Sequence, residues 1–346
     1  MKRTNKYLSR IRFFSAFLLT SVLAFCFYST ILADEIRIYE ADVKEVPLYI
    51  NFNNIQKIVS FKECLYVLDS RNHRIVAIKD NKPLKQIGMI GNKKGELYYP
   101  SSLFIDGNSF FYVLDRGNRR VQIMDSKGNY KGDIPERPLA FGMAVDSKGL
   151  ILLSQPKLKK LITVYDIKGK RLAQFGELLN PSEIYGDAYK KYDNDYKLSM
   201  NRIYLTIGEK DDIWVVFYHM PLICRYDNEG NLVYKKIIDI EGIDKLKEAV
   251  WNTSSHPEYL SLGMDGFTLT MVINDIVYEG KSKKVYVLLG DNQILVLNSK
   301  TNEKYVIKPR IIKGAIERIG VTYKGEIYLS FFFSSKLYRL VFRNQM

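Results

Sequence analysis

Leu65-Tyr-Val-Leu-Asp-Ser-Arg-Asn-His-Arg-Ile75 and Phe111-Tyr-Val-Leu-Asp-Arg-Gly-Asn-Arg-Arg-Val121 are one pattern written twice. In each copy an apolar run ends in Asp (Asp69, Asp115), a short polar loop follows, and an alternating strand begins at Arg (Arg74, Arg120). Two copies at this spacing mark a repeat architecture, whose units bury their apolar faces against one another. Aligned on the second residue of the apolar strand, further copies fall at Ile151, Trp214, Tyr286 and Tyr328. The steps from Tyr66 through Tyr112 and onward are 46, 39, 63, 72 and 42 residues. Three of them approach the length of one four-stranded propeller blade, roughly 40 to 50 residues.

The second repeat can be read strand by strand. Ser102 to Asp106 is the first strand, Phe110 to Leu114 the second and Arg120 to Met124 the third, with a fourth from Tyr130 after the turn Asp125-Ser-Lys-Gly-Asn129. The third follows with Met143 to Asp146, Ile151 to Leu153, Leu161 to Tyr165 and Leu172 to Phe175, and the fourth shows Ile213 to Phe217 and Leu222 to Tyr226. The fifth offers Val285 to Leu289 and Ile294 to Leu297, and the last has Ile319 to Tyr323, Ile327 to Phe331 and Leu337 to Phe342. That last unit is one strand short. Either Glu35 to Tyr39 or Val46 to Ile50 can supply the missing outer strand and leave no open edge. The reading is an all-β, six-bladed β-propeller of four-stranded antiparallel blades, closed by an N-terminal strand.

Gly91-Asn-Lys-Lys-Gly95, Tyr99-Pro100, Leu103-Phe-Ile-Asp106-Gly107, Tyr112-Val-Leu-Asp115 and Asn118-Arg-Arg-Val121 resemble the NHL repeat of six-bladed bacterial propellers. Blade 1 matches through Asp69, Asn72, His73 and Arg74, and blade 2 through Asp115, Asn118 and Arg120. Blades 3 to 6 keep the strands but carry Ser154, Phe217, Leu289 and Phe331 where the signature has Asp. The resemblance implies a fold more than a function. Some propellers of the type it resembles are enzymes, namely a peptide-amidating lyase with a channel zinc on histidines and gluconolactonase-like proteins with a divalent ion on acidic and Asn ligands.

Within the 346 residues, Lys2, Arg3, Lys6, Arg10 and Arg12 precede an apolar stretch from Phe13 to Ala33. Residues 1–33 read as a secretory signal peptide, or as an N-terminal membrane anchor if uncleaved. Phe25 stands where lipidation of Cys26 would need a small residue. Removing this segment lowers the formal charge from +14 to +9, and the remaining cations are scattered through turns such as Lys157-Leu-Lys-Lys160. That pattern is a solvated rim and argues against a nucleic-acid partner. Export across the cytoplasmic membrane follows, to the periplasm, the cell envelope or the outside. A membrane contact would run through residues 13–33. Cys64 and Cys224 fall in blades 1 and 4, too far apart to bridge, and are expected as two free, buried thiols.

The 34–346 segment reads as one domain with insertions at 178–201 and 239–262. The first carries Tyr185, Tyr189, Tyr192 and Tyr196. The second carries Trp251, His256 and an amphipathic helix candidate with Ile243, Leu246 and Val250 on one stripe. Both link a fourth strand to the next first strand, so they emerge on the face of the loops between second and third strands. That face would hold Arg71, Arg116, Arg119 and His219 with the insertion aromatics, and it is the expected binding surface. Asp69, Asn72, Arg74, Asp115, Asn118 and Arg120 are expected to be scaffold. His73, His219 and His256 would have to converge to hold a metal, and no spacing rule joins them. No nucleophile elbow, P-loop or zincin motif occurs in the chain. The expectation is a non-catalytic propeller, without metal or cofactor, that binds a protein, peptide or glycan. The alternative is a metal-dependent lyase or lactonase-like enzyme working in the central channel.

Overall fold

The computed structural model describes residues 36–135, 140–186, 194–254, 271–301, 303–311 and 313–343. The chain begins with β1 (Arg37–Glu45) and then lays down four antiparallel sheets of four strands, each in sequence order. The first is β2 (Ile55–Phe61), β3 (Cys64–Asp69), β4 (Arg74–Lys79) and β5 (Lys82–Ile87). The second is β6 (Ser102–Ile105), β7 (Phe111–Asp115), β8 (Arg120–Met124) and β9 (Tyr130–Pro135). The third is β10 (Met143–Val145), β11 (Ile151–Ser154), β12 (Ile162–Tyr165) and β13 (Arg171–Phe175). The fourth is β14 (Ile203–Ile207), β15 (Ile213–Phe217), β16 (Leu222–Tyr226) and β17 (Leu232–Ile237).

The remaining strands form an eight-stranded sheet. It contains β18 (Ile273–Glu279), β19 (Lys284–Leu289), β20 (Ile294–Asn298) and β21 (Lys304–Arg310), then β1, and then β24 (Tyr338–Phe342), β23 (Ile327–Phe331) and β22 (Ile316–Val321). The N-terminal strand is thus fourth partner to the last three, with Ala41 opposite Phe342 and Glu45 opposite Tyr338. It occupies Arg37–Glu45, overlapping the first of the two segments expected to close the ring and excluding Val46 to Ile50. The first strands β2, β6, β10, β14, β18 and β22 each pack against the next, and β22 returns to β2. This is an all-β propeller fold with four-stranded antiparallel blades.

Alternation within a strand explains why these runs are apolar throughout. Leu65 and Val67 join a cluster with Ile55, Tyr328 and Leu337, while Tyr66 and Leu68 point the other way, to Leu103, Phe111 and Val113 of the next sheet. Both faces of β3 are therefore core, and a strand buried on both sides reads as a continuous hydrophobic run. The next sheet repeats the arrangement, with Tyr112 and Leu114 packed on Met143, Ile151 and Leu153. Cys64 and Cys224 are free thiols as expected, but Cys64 is only half-buried because it begins its strand at the rim. Burial pushes the Cys224 thiol up to about 12.

One end of the sheets carries the turns between first and second and between third and fourth strands. At Asp106, Asp125, Asp146, Asp166 and Asp227 the carboxylate accepts from the backbone N–H two and four residues on, at 2.8 to 3.0 Å. This Asx turn needs a left-handed residue at its fourth position, supplied by Gly128 (φ 90°), Gly149 (φ 80°), Gly169 (φ 79°) and Gly230 (φ 89°), and in the Asp106 turn by Ser109 (φ 68°). The opposite end carries the loops between second and third strands and the links from sheet to sheet.

Candidate binding site at the channel mouth

In the first two sheets the repeat signature builds one device twice. Asp115 is fully buried and accepts from Tyr98 N–H at 2.7 Å, Asn118 Nδ2 at 2.7 Å and Arg120 Nε at 2.9 Å. Asp69 does the same with Asn53 N–H at 2.7 Å, Asn72 Nδ2 at 2.9 Å and Arg74 Nε at 2.8 Å. Each carboxylate therefore ties the loop before its sheet to the short 3-10 turn and to the third strand. Burial raises the Asp115 carboxyl, and the three hydrogen bonds and the Arg120 charge oppose that rise. His73 is buried in the first of these turns, with Nδ1 accepting from Tyr99 N–H at 3.0 Å and its ring 5.4 Å from that of Tyr98.

Along the axis at this end lies a cavity of about 290 Å³. Its walls come from the beginnings of first strands and from second-to-third loops: Gln56 and Lys57 of β2, Arg116, Phe141, Tyr204 of β14, Tyr218 and Arg318 of β22. Tyr204 and Tyr218 stack with centroids 3.9 Å apart. The guanidinium of Arg318 sits 5.5 Å from the Tyr204 ring, and those of Arg116 and Arg202 sit 5.6 and 4.4 Å from the Phe141 ring. Cations thus flank an aromatic wall, a favourable arrangement when water is largely excluded.

Arg318 is buried, donating Nε to the Gln56 carbonyl at 2.8 Å, Nη1 to the carbonyls of Asn274 (3.1 Å) and Glu317 (2.8 Å), and Nη2 to Gln56 Oε1 at 2.8 Å. Burial works against its charge, but Tyr204 and Tyr218 when ionised, and the carboxylates of Asp275 and Glu317, hold it above the ordinary arginine range. Lys57 Nζ is paired at 2.6 Å with Asp275, whose other oxygen accepts from Ile319 N–H at 3.3 Å. Glu317 is raised by burial, against the pull of Arg318. Burial drives the Tyr204 hydroxyl well above 10, and lifts Tyr218 although Arg318 and Arg116 oppose it. At neutral pH both phenols are therefore protonated. Chemically, the mouth offers guanidinium and hydroxyl donors around a small, partly apolar space.

Among the described residues, Arg116 is the one residue expected to bind that lines this cavity; Arg71 and Arg119 are exposed in the neighbouring loops. Tyr185, in the short helix α1 (Ser182–Tyr185), donates its hydroxyl to the carbonyl of His219, so the first insertion does reach that loop. His219 itself is buried, with little surface to present. Tyr189, Tyr192 and His256 lie outside the described residues. So do the side chains of Tyr196 in α2 (Asn194–Met200) and Trp251 in α3 (Ile243–Ser254). Helix α3 buries Ile243, Leu246 and Val250, the stripe read from the sequence. Among the described residues no three His, Cys, Asp or Glu side chains cluster as metal ligands would.

Gln56, Lys57, Phe141, Tyr204, Tyr218 and Arg318 line the cavity without having been expected from the sequence. The signal available was polar residues inside first strands, as in Ile316-Glu-Arg-Ile-Gly-Val321 and Ile55-Gln-Lys-Ile58. Charges there are costly unless they face a polar channel.

Solved structures place the chain in the β-propeller class. It is similar to a streptogramin B lyase, with a TM-score of 0.55 and 13% identity over 87% of this chain and 97% of the lyase. It is also similar to a Bacteroides fragilis protein named as a candidate exported protein, with a TM-score of 0.57 and 13% identity over 89% of this chain and 100% of the other. At such identities the likeness is one of fold. No protein-family model and no curated protein matches the sequence. No helix among the described residues is long and apolar enough to cross a membrane.

Proposed function

We propose that the protein is an exported, six-bladed propeller of NHL-like repeats that binds a protein, peptide or glycan, without catalysis, on the face bearing the second-to-third loops. The observation that carries this reading is the cavity at the axis, where Arg116, Arg318, Tyr204 and Tyr218 converge on that face. Rigid sheets presenting loops around a concave mouth are the usual setting of a binding site. Six blades are supported by the closed circuit of first strands, with β1 joining the fifth and sixth into one sheet. The NHL assignment is supported by the duplicated Asp, Asn and Arg device of the first two blades. Export is supported by the basic and then apolar residues 1–33, and by the name of the Bacteroides fragilis neighbour.

The test is to probe peptide and glycan arrays with the full chain and with two charge reversals. Arg116→Glu at the mouth is expected to weaken a selected ligand at least tenfold, and Lys148→Glu on the opposite face is expected to leave it unchanged. Equal effects of the two, or turnover of the bound ligand, would overturn the reading.

A further inference from the structure

The cavity holds more positive charge than its own carboxylates neutralise by contact. Lys57 is paired with Asp275, which also accepts two backbone N–H groups, so that pair is complete. Arg318 and Arg116 are different. Every hydrogen bond of Arg318 goes to a backbone carbonyl or to the amide oxygen of Gln56, and Arg116 donates to the Ala140 carbonyl and to Ser101 Oγ at 3.5 Å. Among the described residues neither guanidinium makes an ion-pair contact with a carboxylate. Gln56 bridges Arg318 to Glu317, accepting from Arg318 at Oε1 while donating Nε2 to Glu317 at 3.1 Å. A guanidinium removed from water whose hydrogen bonds go only to neutral acceptors is a strong recognition element for an anion that can reach it.

The remaining wall narrows the ligand. Phe141, Met143 and Leu205 contribute apolar lining, and Ser70, Ser101 and Ser102 contribute hydroxyls. A volume of about 290 Å³ lies at the lower end of small-molecule sites. The charges of Asp275 and Glu317 already act on Arg318, which favours one negative charge over two, since a like charge nearby costs more with each added unit.

We propose that the channel mouth is a binding pocket for a compact monocarboxylate with an apolar body, its carboxylate between Arg116 and Arg318 and its body against Phe141. This rests on the reading of the same face as the binding face, and names the chemistry it selects. The carboxylate can belong to a free small acid or to the C-terminus of a peptide.

Isothermal titration of the full chain with benzoate, benzamide and inorganic phosphate tests it. Benzoate is expected to bind at least tenfold more tightly than benzamide and than phosphate. Arg116→Gln is expected to weaken benzoate tenfold or more while leaving the melting temperature near that of the parent, and raising the salt concentration is expected to weaken it further. A tyrosine tripeptide with a free C-terminus, set against its C-terminal amide, separates the two sources. Selection of the free-terminus peptide over benzoate assigns the pocket to chain ends, and the reverse assigns it to small acids. Absence of benzoate and free-terminus peptide binding, equal binding of benzoate and benzamide, or an unaltered affinity in Arg116→Gln would overturn the pocket. If an array-selected ligand still binds this face in that case, the binding face stands and the carboxylate chemistry alone falls.

Discussion

At the residue scale, two aspartates hold the best-formed part of the molecule. Asp115 has no exposed surface and serves three donors, one of them a guanidinium whose side chain is 12% exposed. Asp115→Ala would leave Arg120 without its closest carboxylate and the Tyr98 N–H without an acceptor. Breaking such a buried pair costs about 3–5 kcal/mol, and chemical denaturation should read a loss of that size. Asn118→Ala, which removes one neutral partner, should cost only about 1–2 kcal/mol. Glu317 contributes a pH dependence of the opposite kind to a paired acid. Burial raises its folded pKa above the ordinary 4.5, so the unfolded chain ionises first as pH rises, and the folded state loses stability from about pH 4.5 upward. The stability of the parent relative to Glu317→Gln should therefore fall between pH 4 and pH 7; a difference that is flat or rises with pH would contradict the account. Asp69 and Asp115 were legible in the sequence because the same residues recur at the same spacing. Arg318 was not, because its meaning depends on β2 and β22 meeting across more than two hundred residues of chain, and no local pattern announces that contact.

At the element scale, the narrow axis dictates small residues where first strands converge. A Cβ on Gly142 would lie 2.6 Å from the Ile203 carbonyl oxygen and 2.8 Å from Leu205, and one on Gly320 would lie 2.3 Å from Ile58. Backbone cannot give way as a flexible side chain can. Gly142→Ala should therefore cost about 1–3 kcal/mol, as overpacking does, and should also disturb the cavity that Gly142 lines. An unchanged melting curve would show that β10 and β14 are not packed this closely. The middle strands were read from sequence almost to the residue: Arg120–Met124, Ile213–Phe217, Leu222–Tyr226 and Ile327–Phe331 all form as expected. First strands were harder. The strand expected from Ile319 to Tyr323 runs Ile316–Val321 instead, because Glu317 and Arg318 interrupt the apolar pattern that would have marked its start.

At the scale of the whole molecule, the two ends of the chain are joined through β1. Ala41 is fully buried in this strand, and Arg343 holds Asp42 at 2.9 Å from the β24 side while Arg310 holds Glu40 at 3.0 Å from the β21 side. Tyr39 meets Tyr305 edge to face at 5.2 Å. Without this strand two sheet edges would lie open, an invitation to aggregation. Ala41→Asp places a carboxylate in that seam. It should lower the melting temperature by about 5–10 °C and promote concentration-dependent association, whereas a parent-like melting curve would mean that closure does not depend on β1. The sequence showed that the last unit lacked a strand and that the N-terminus could supply it, but not which of two segments would do so. The register that buries Ala41 decides between them.

The claim on which the functional account turns is that ligands meet this propeller at the channel mouth. Hydrogen–deuterium exchange of the full chain, with and without an array-selected ligand, tests it most directly. Slowed exchange is expected in Ser70–His73, Tyr98–Ser102, Arg116–Arg119 and Phe141–Met143, the segments that surround or line the cavity. Protection confined to the Asx turns at Asp106–Phe110, Asp125–Asn129 and Asp146–Leu150, on the opposite face, would contradict it.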